Sequence, residues 1–237
     1  MALKFTHTPL ADSTIDIPWR REPLCLFTPA ERDKITNAAT AVSMPRGAHA
    51  YDANDRPDSL YFVLSGKFKT LYGGHDRQQI LKVSGPLEFV GFRSILASER
   101  HSSSLIALEP SILITIPRRV FMDAVSQNPR LASHLVKAMA VELRQCRQKA
   151  DALTHKQVRG RLADSILSML NKFGYVHGSH RLDISLSRED WAAMSNMTTA
   201  NAIRTLSAFA SEGIIQIDKR DITILNEDEL RKTSEVG

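Results

Sequence analysis

Thr199, Ala200, Ile203 and Arg204 follow the i, i+1, i+4, i+5 spacing that sets four side chains on one face of a helix. A face of this kind, entering a major groove by its first turns, meets the edges of base pairs. The guanidinium fork of Arg204 matches the O6 and N7 acceptors of a guanine. Thr198 and Asn201 carry groups suited to phosphate oxygens, and Arg188 adds a charge for the same purpose. Taken alone, Arg204 reads equally well as a solvated surface arginine. Its meaning comes from the frame that would hold it.

That frame is legible on both sides. Ser187-Arg188-Glu189-Asp190 is a near capping box, with Asp190 in place of the usual glutamate, and opens a short helix to Met194. Ser195-Asn196-Met197 breaks the helix, and Thr198 is a fair N-cap for a second one reaching about Ser211. Trp191, Met194, Leu206 and Phe209 supply buried faces, while Ala192 and Ala193 are small enough for a close crossing. Asn196 is the best candidate in the break for a left-handed residue. Past Gly213, Ile214–Ile217 and Ile222–Leu225 are expected to pair as a hairpin wing across Asp218-Lys219-Arg220-Asp221. A helix is expected over Val158–Phe173, closed by Gly174, with a short strand at Ile184-Ser185-Leu186.

Upstream, Asn128-Pro129 opens a breaker-poor segment reaching about Gln157. Leu131, Leu135, Met139, Leu143, Cys146, Ala150 and Leu153 form one narrow helical stripe on it. Such a stripe suits a two-helix, coiled-coil-like dimer seam, or a helix packed on its own domain. From Val42 to Ile116 the texture is different. Short apolar runs such as Leu60–Leu64, Phe68–Tyr72, Ile80–Val83 and Ile112–Ile116 alternate with turn signals, which argues for an all-β roll, barrel or sandwich. A capped helix is expected from Thr28-Pro29 to about Ala41, and residues 1–20 read as an arm or loose lead-in.

Bulk composition sets the outer limits. The chain has 237 residues, 43% hydrophobic and 24% charged, which suits one large or two modest globular domains. The net charge of +5 permits nucleic-acid binding. From residue 158 onward, however, ten lysines and arginines face eleven acids, so any DNA contact rests on placement. The two cysteines, Cys25 and Cys146, exclude an intrachain disulfide framework and a four-cysteine metal site. No run is long and apolar enough for a membrane span, and Met1–Pro9 has no signal-like stretch, so a cytoplasmic protein is expected. There is no phosphate-binding glycine loop, HExxH, or Gly-x-Ser-x-Gly, and an enzyme is not expected.

In order and spacing, residues 22–228 resemble the cyclic-nucleotide receptor and fumarate–nitrate regulator (CRP/FNR) superfamily. Pro57-Asp58-Ser59-Leu60-Tyr61-Phe62-Val63-Leu64-Ser65-Gly66-Lys67 is similar to its first β-roll signature. Asn128-Pro129 with the long helix, then Val158-Arg159-Gly160-Arg161-Leu162-Ala163, resembles its dimer helix and hinge, and Leu186 to Arg204 its helix-turn-helix. The resemblance implies an α+β protein in three parts: a double-stranded β-helix (jelly-roll) sensor domain at 1–127, a dimerisation helix at 128–157 and a winged helix-turn-helix at 158–237. It further implies a homodimer on an inverted-repeat double-stranded DNA site, a small-molecule effector that reorients the recognition helices, and RNA polymerase as a further partner.

The departures from the pattern are informative. Where cyclic-nucleotide binders place a ribose-binding glutamate, this chain reads Gly91-Phe92-Arg93, and where they place a phosphate-pairing arginine it reads His101-Ser102-Ser103. The base-contacting pair of the dimer helix falls on Cys146 and Arg147, and the cytosine-reading glutamate of many relatives on Ala200. These changes remove charge-assisted contacts, so ordinary cyclic AMP binding is not expected. The iron–sulfur branch needs several N-terminal cysteines, and only Cys25 lies there. A haem-dependent gas or redox sensor stays open through His7, His49, His75 and His101, as do a thiol sensor at Cys146 and an effector-independent regulator. A cyclic-nucleotide-binding regulatory subunit fits least, since it needs an intact phosphate loop and no winged helix.

Overall fold

The computed structural model of this chain describes residues 6–74 and 78–236. His75 therefore lies outside the described residues. The chain divides into two compact units: the chain up to Tyr72 with Leu81–Leu143, and Arg144 onward with the described part of Gly73–Ile80.

The first unit is a two-sheet roll. Its elements are β1 (Thr6–Pro9), α1 (Pro29–Ala38), β2 (Thr40–Met44), β3 (His49–Tyr51), β4 (Ser59–Ser65), β5 (Phe68–Tyr72), β6 (Gln79–Ser84), β7 (Phe89–Val90), α2 (Phe92–Ala97), β8 (Ser104–Ala107), β9 (Ser111–Pro117) and α3 (Arg118–Gln127). One sheet runs β1-β2-β9-β4-β7 and the other β3-β8-β5-β6. The antiparallel pairing of β4 with β9 puts Phe62 opposite Ile114 and Leu60 opposite Ile116. Period-2 alternation then sorts the side chains. Leu60, Phe62, Ile114 and Ile116 join Ile35, Phe92, Ile95 and Phe121 in one core. Val42, Met44, Val63 and Leu113 meet Phe68 and Leu105 in the other, between the sheets. Full burial of each such side chain contributes about 1.5–3 kcal/mol.

Two expectations for this unit are corrected. Residues 6–20 are not a loose arm: Pro9 pairs with Thr40 in β1–β2, Leu10 is buried, and Ile15, Ile17 and Trp19 pack on the core. Helix α1 stops at Ala38 because the chain turns into β2 at Thr40; its capping box, with Glu31 reaching back to Thr28 N–H at 2.7 Å, forms as expected.

Helix α4 (Pro129–His155) begins in this unit. Asn128 caps it, accepting from the amides of Arg130 and Leu131 at 3.1 Å and donating to Leu26 O and Glu31 Oε2 at 2.9 Å. Leu131 and Leu135, at 0% and 2% exposure, are packed in the α1/α3 core, so they do not belong to a seam for another chain. The exposed stripe starts one residue later. Val136, Met139, Leu143, Cys146, Ala150 and Leu153 follow alternating steps of three and four, and all are exposed in the protomer. That is an a/d heptad pattern.

The second unit holds α5 (Val158–Phe173), α6 (Arg188–Met194), α7 (Thr199–Ser211), β10 (Ile215–Asp218), β11 (Asp221–Ile224) and α8 (Glu227–Val236). Its core is built from Leu162, Ile166, Leu170, Trp191, Leu206 and Phe209, with Ile215 and Ile222 of the hairpin. The segment expected as a strand at Ile184–Leu186 has no ladder; only isolated bridges, Tyr175 with Leu182 and Arg181 with Thr223, flank it. Its apolar side chains are buried nonetheless, which explains the strand-like pattern. Helix α8 was not expected. From Glu227 to Glu235 it is polar except for buried Leu230, and polar contacts tie it down: Ser234 with Asp164, and Tyr175 OH to Glu227 at 2.9 Å.

Candidate nucleic-acid interface and sensor cluster

The reading face is assembled by capping and by a turn. Ser187 accepts from Asp190 N–H, and Asp190 accepts from Ser187 N–H, both at 3.1 Å, so aspartate completes the box that glutamate usually closes. Asn196 takes the left-handed conformation at φ +50°, as expected of the break. Thr198 then caps α7 by accepting from Asn201 N–H at 3.2 Å. Ala202, Leu206 and Phe209 turn into the core, which leaves Thr198, Ala200, Ile203 and Arg204 outward; Ile203 is 45% exposed. Thr199 and Asn201 are half-buried, and Asn201 Oδ1 accepts from Arg204 Nη2, which steadies the fork over the helix. Arg188 is half-buried with Nη1 enclosed and unpartnered, so it is less free than a surface phosphate ligand.

Arg161 on α5 is the residue that sequence reasoning missed. Its guanidinium donates to two carbonyls of the turn, Ser195 O at 3.1 Å and Asn196 O at 3.5 Å, and to Lys156 O just before α5 at 2.8 Å, so it ties the turn to the start of α5. Ser165 Oγ supports the same turn through Ser195 Oγ at 2.8 Å. Arg159 pairs with Glu212 at the far end of α7 and lies over the Phe209 ring, 4.7 Å from its centroid. At the wing tip Lys219 adopts φ +53°, and both Lys219 and Arg220 are exposed.

In the first unit, the sensor residues implied by the resemblance do not act as one set. Gly91, at φ +87°, precedes α2; a Cβ there would lie 3.2 Å from Tyr61 and 3.5 Å from His101. Phe92 is 4% exposed in the helical core and presents nothing to a ligand. Ser102 is exposed and Ser103 buried. His101 is buried and stacked on Tyr51, ring centroids 3.7 Å apart at 13°. Its Nε2 has no partner. Burial, opposed by Asp55 and Asp58, holds its pKa below the ordinary imidazole value. Burial raises the Tyr51 hydroxyl, and raises Tyr61, aided by Asp55 and Asp58, to about 12.

Arg93 does face a partner, but within the protein. Its Nε lies 3.2 Å from Glu142 Oε2, and Lys82 Nζ lies 3.0 Å from Glu142 Oε1 and 3.2 Å from Glu88. Burial alone lowers the Lys82 pKa, yet Glu88 and Glu142 outweigh it and hold the ammonium above its usual range. The charges of Arg93 and Glu142 also reach Tyr51. The α4 residue that meets this cluster is therefore Glu142, one turn before Cys146 and Arg147, which are both exposed.

Of the four candidate histidines, the described His7, His49 and His101 do not make a common site. His49 is exposed and bonded to Asp52 at 2.5 Å, His7 is exposed, and no group of three or more metal-binding side chains occurs among the described residues. No helix among them is long and apolar enough to cross a membrane.

Comparison with known proteins agrees with this geometry. The family description cyclic nucleotide-binding domain matches residues 41–128, and Crp-like helix-turn-helix domain matches residues 160–233. The chain is 24% identical to the CRP-like cAMP-activated global transcriptional regulator of Mycobacterium tuberculosis, over 84% of this chain and 89% of that one. It is 27% identical to the fumarate and nitrate reduction regulatory protein of Vibrio cholerae, over 81% of this chain and 77% of the other. FixK2 from Bradyrhizobium japonicum shares its fold, with a TM-score of 0.74 at 22% identity, across 84% of this chain and 99% of that one.

Proposed function

Because this chain belongs to the CRP/FNR superfamily, whose regulators join an effector-binding β-roll to a DNA-binding helix-turn-helix, we propose that it works in the cytoplasm as a homodimer on inverted-repeat DNA. The observation that carries this reading is α7. Its core side is fully buried, its N-cap and turn are pinned, and its outer side offers Thr198, Ala200, Ile203 and Arg204 together. Arg204 reads a guanine, Ala200 touches a thymine methyl rather than accepting from cytosine, and Lys219 and Arg220 of the wing meet phosphates. Two protomers associate through the Val136–Leu153 heptads and space the two copies of α7 by one DNA turn, about 34–36 Å.

The effector is not cyclic AMP bound as in cyclic-nucleotide receptors. Phe92 is a core side chain and cannot accept from a ribose hydroxyl, and His101 is stacked away on Tyr51. A haem sensor is less well supported: His49 Nδ1 is engaged by Asp52, and His101 is only 3% exposed. The test is Arg204→Ala. Specific affinity should fall by about 1–3 kcal/mol and the preference at one base position should relax. An unchanged base preference removes Arg204 from the reading set.

A further inference from the structure

We propose that Glu142 is a built-in competitor for the β-roll's anion site, and that the effector is a small molecule with a carboxylate or phosphoryl head that displaces it from Arg93 and Lys82. This rests on the reading of the β-roll as an effector domain. One carboxylate bridges two cations here, one oxygen to Lys82 Nζ at 3.0 Å and the other to Arg93 Nε at 3.2 Å. Two oxygens on one anionic head, facing an ammonium and a guanidinium, are the contacts a ligand carboxylate or phosphate makes. Arg93 remains 52% exposed, so an incoming anion has access to it without unfolding of the roll.

Within reach of the bridge's charges lies a buried aromatic pair with one unpartnered polar atom. Tyr51, which feels both Arg93 and Glu142, is stacked on His101. His101 is 3% exposed and its Nε2 is unpartnered, although buried polar atoms ordinarily find a partner. Gly91 keeps the approach to that ring free of a side chain. Of the residues that depart from the cyclic-nucleotide pattern, His101 is thus the one linked to the bridge, through Tyr51.

The bridge also has a route to the dimer. Glu142 directly precedes Leu143, a heptad residue 55% exposed in the protomer. An anion that takes Arg93 and Lys82 releases Glu142 from the roll and changes the footing of α4 in the middle of the proposed seam. Binding energy for the anion is spent partly on that release, so the wild-type affinity is reduced by the strength of the internal bridge.

Calorimetric titration with inorganic phosphate, and separately with acetate, tests this on the full-length wild type, Glu142→Gln and Arg93→Gln/Glu142→Gln. Glutamine keeps the shape of Glu142 and removes its charge, and circular dichroism verifies folding. Glu142→Gln should bind at least one of the two anions about tenfold more tightly than wild type, and the double variant should lose that gain. Equal affinities in wild type and Glu142→Gln, no binding in either, or a gain that survives loss of Arg93 would each overturn the proposal. Operator binding by the wild type, measured in parallel with and without each anion, separates the two ideas. If it is absent under every condition, the DNA-binding reading fails whatever the titrations give; if it is present while the titrations show no anion response, only the competitor idea fails.

Discussion

Arg204 and Arg161 show two ways for an arginine to matter. Arg204 stands on an exposed helical face beside Asn201, and its spacing from Thr199, Ala200 and Ile203 made it visible in the sequence. Arg161 makes its three hydrogen bonds to main-chain carbonyls, two of them more than thirty residues away, and such partners leave no side-chain pattern to find. Arg161→Ala should lower the stability of the winged domain by about 1.5–3 kcal/mol in thermal unfolding. Arg161→Lys should not restore it, because an ammonium lacks the planar fork that spans several acceptors. A retained melting temperature in Arg161→Ala would remove it as the support of the turn. His101 adds a pH signature. Its folded pKa is depressed, so the unfolded chain takes up the proton first as pH falls below about 6.5. Stability from this group is therefore present above that value and declines below it. His101→Gln should flatten the fall in melting temperature between pH 7 and pH 5, about the range over which an imidazole titrates.

At the scale of elements, α4 separates what periodicity can and cannot say. A stripe from Leu131 through Leu153 is continuous in the sequence, yet its first two leucines are buried in their own domain and the later residues are exposed in the protomer. Leu131 and Leu135 face the sheet side of their own domain, and the outward register begins with Val136. A spacing of four satisfies either face of a helix, so the handover at residue 135 is invisible without the partner surface. Paired substitutions distinguish the two registers. Leu135→Ala should cost the protomer about 2–5 kcal/mol. Leu143→Glu should leave the melting of the roll intact and abolish dimer mass in sedimentation; a variant that stays dimeric would place the seam elsewhere. The strands of the roll were legible because turn residues bracket them and their faces alternate. Capped helices were equally legible, α5 to the residue and α6 and α7 through Ser187 and Thr198. Helix α8 escaped because a single buried leucine and a few polar ties hold it, and β1 because four residues on a sheet edge carry too little pattern.

At the scale of the whole molecule, α4 runs from the β-roll unit into the helix-turn-helix unit, and the proposed dimer pairs the exposed heptads of two such helices. From residue 158 onward the chain carries no net basic charge to attract DNA indiscriminately, so the proposed specificity rests on two reading helices acting together. Selection of bound duplexes from a random DNA pool by the full-length protein tests that claim most directly. The recovered sites should form an inverted repeat with half-site centres about 10–10.5 base pairs apart, with a guanine at the position lost in Arg204→Ala. Recovery of single, unrepeated half-sites, or of a pool with no sequence preference, would contradict it.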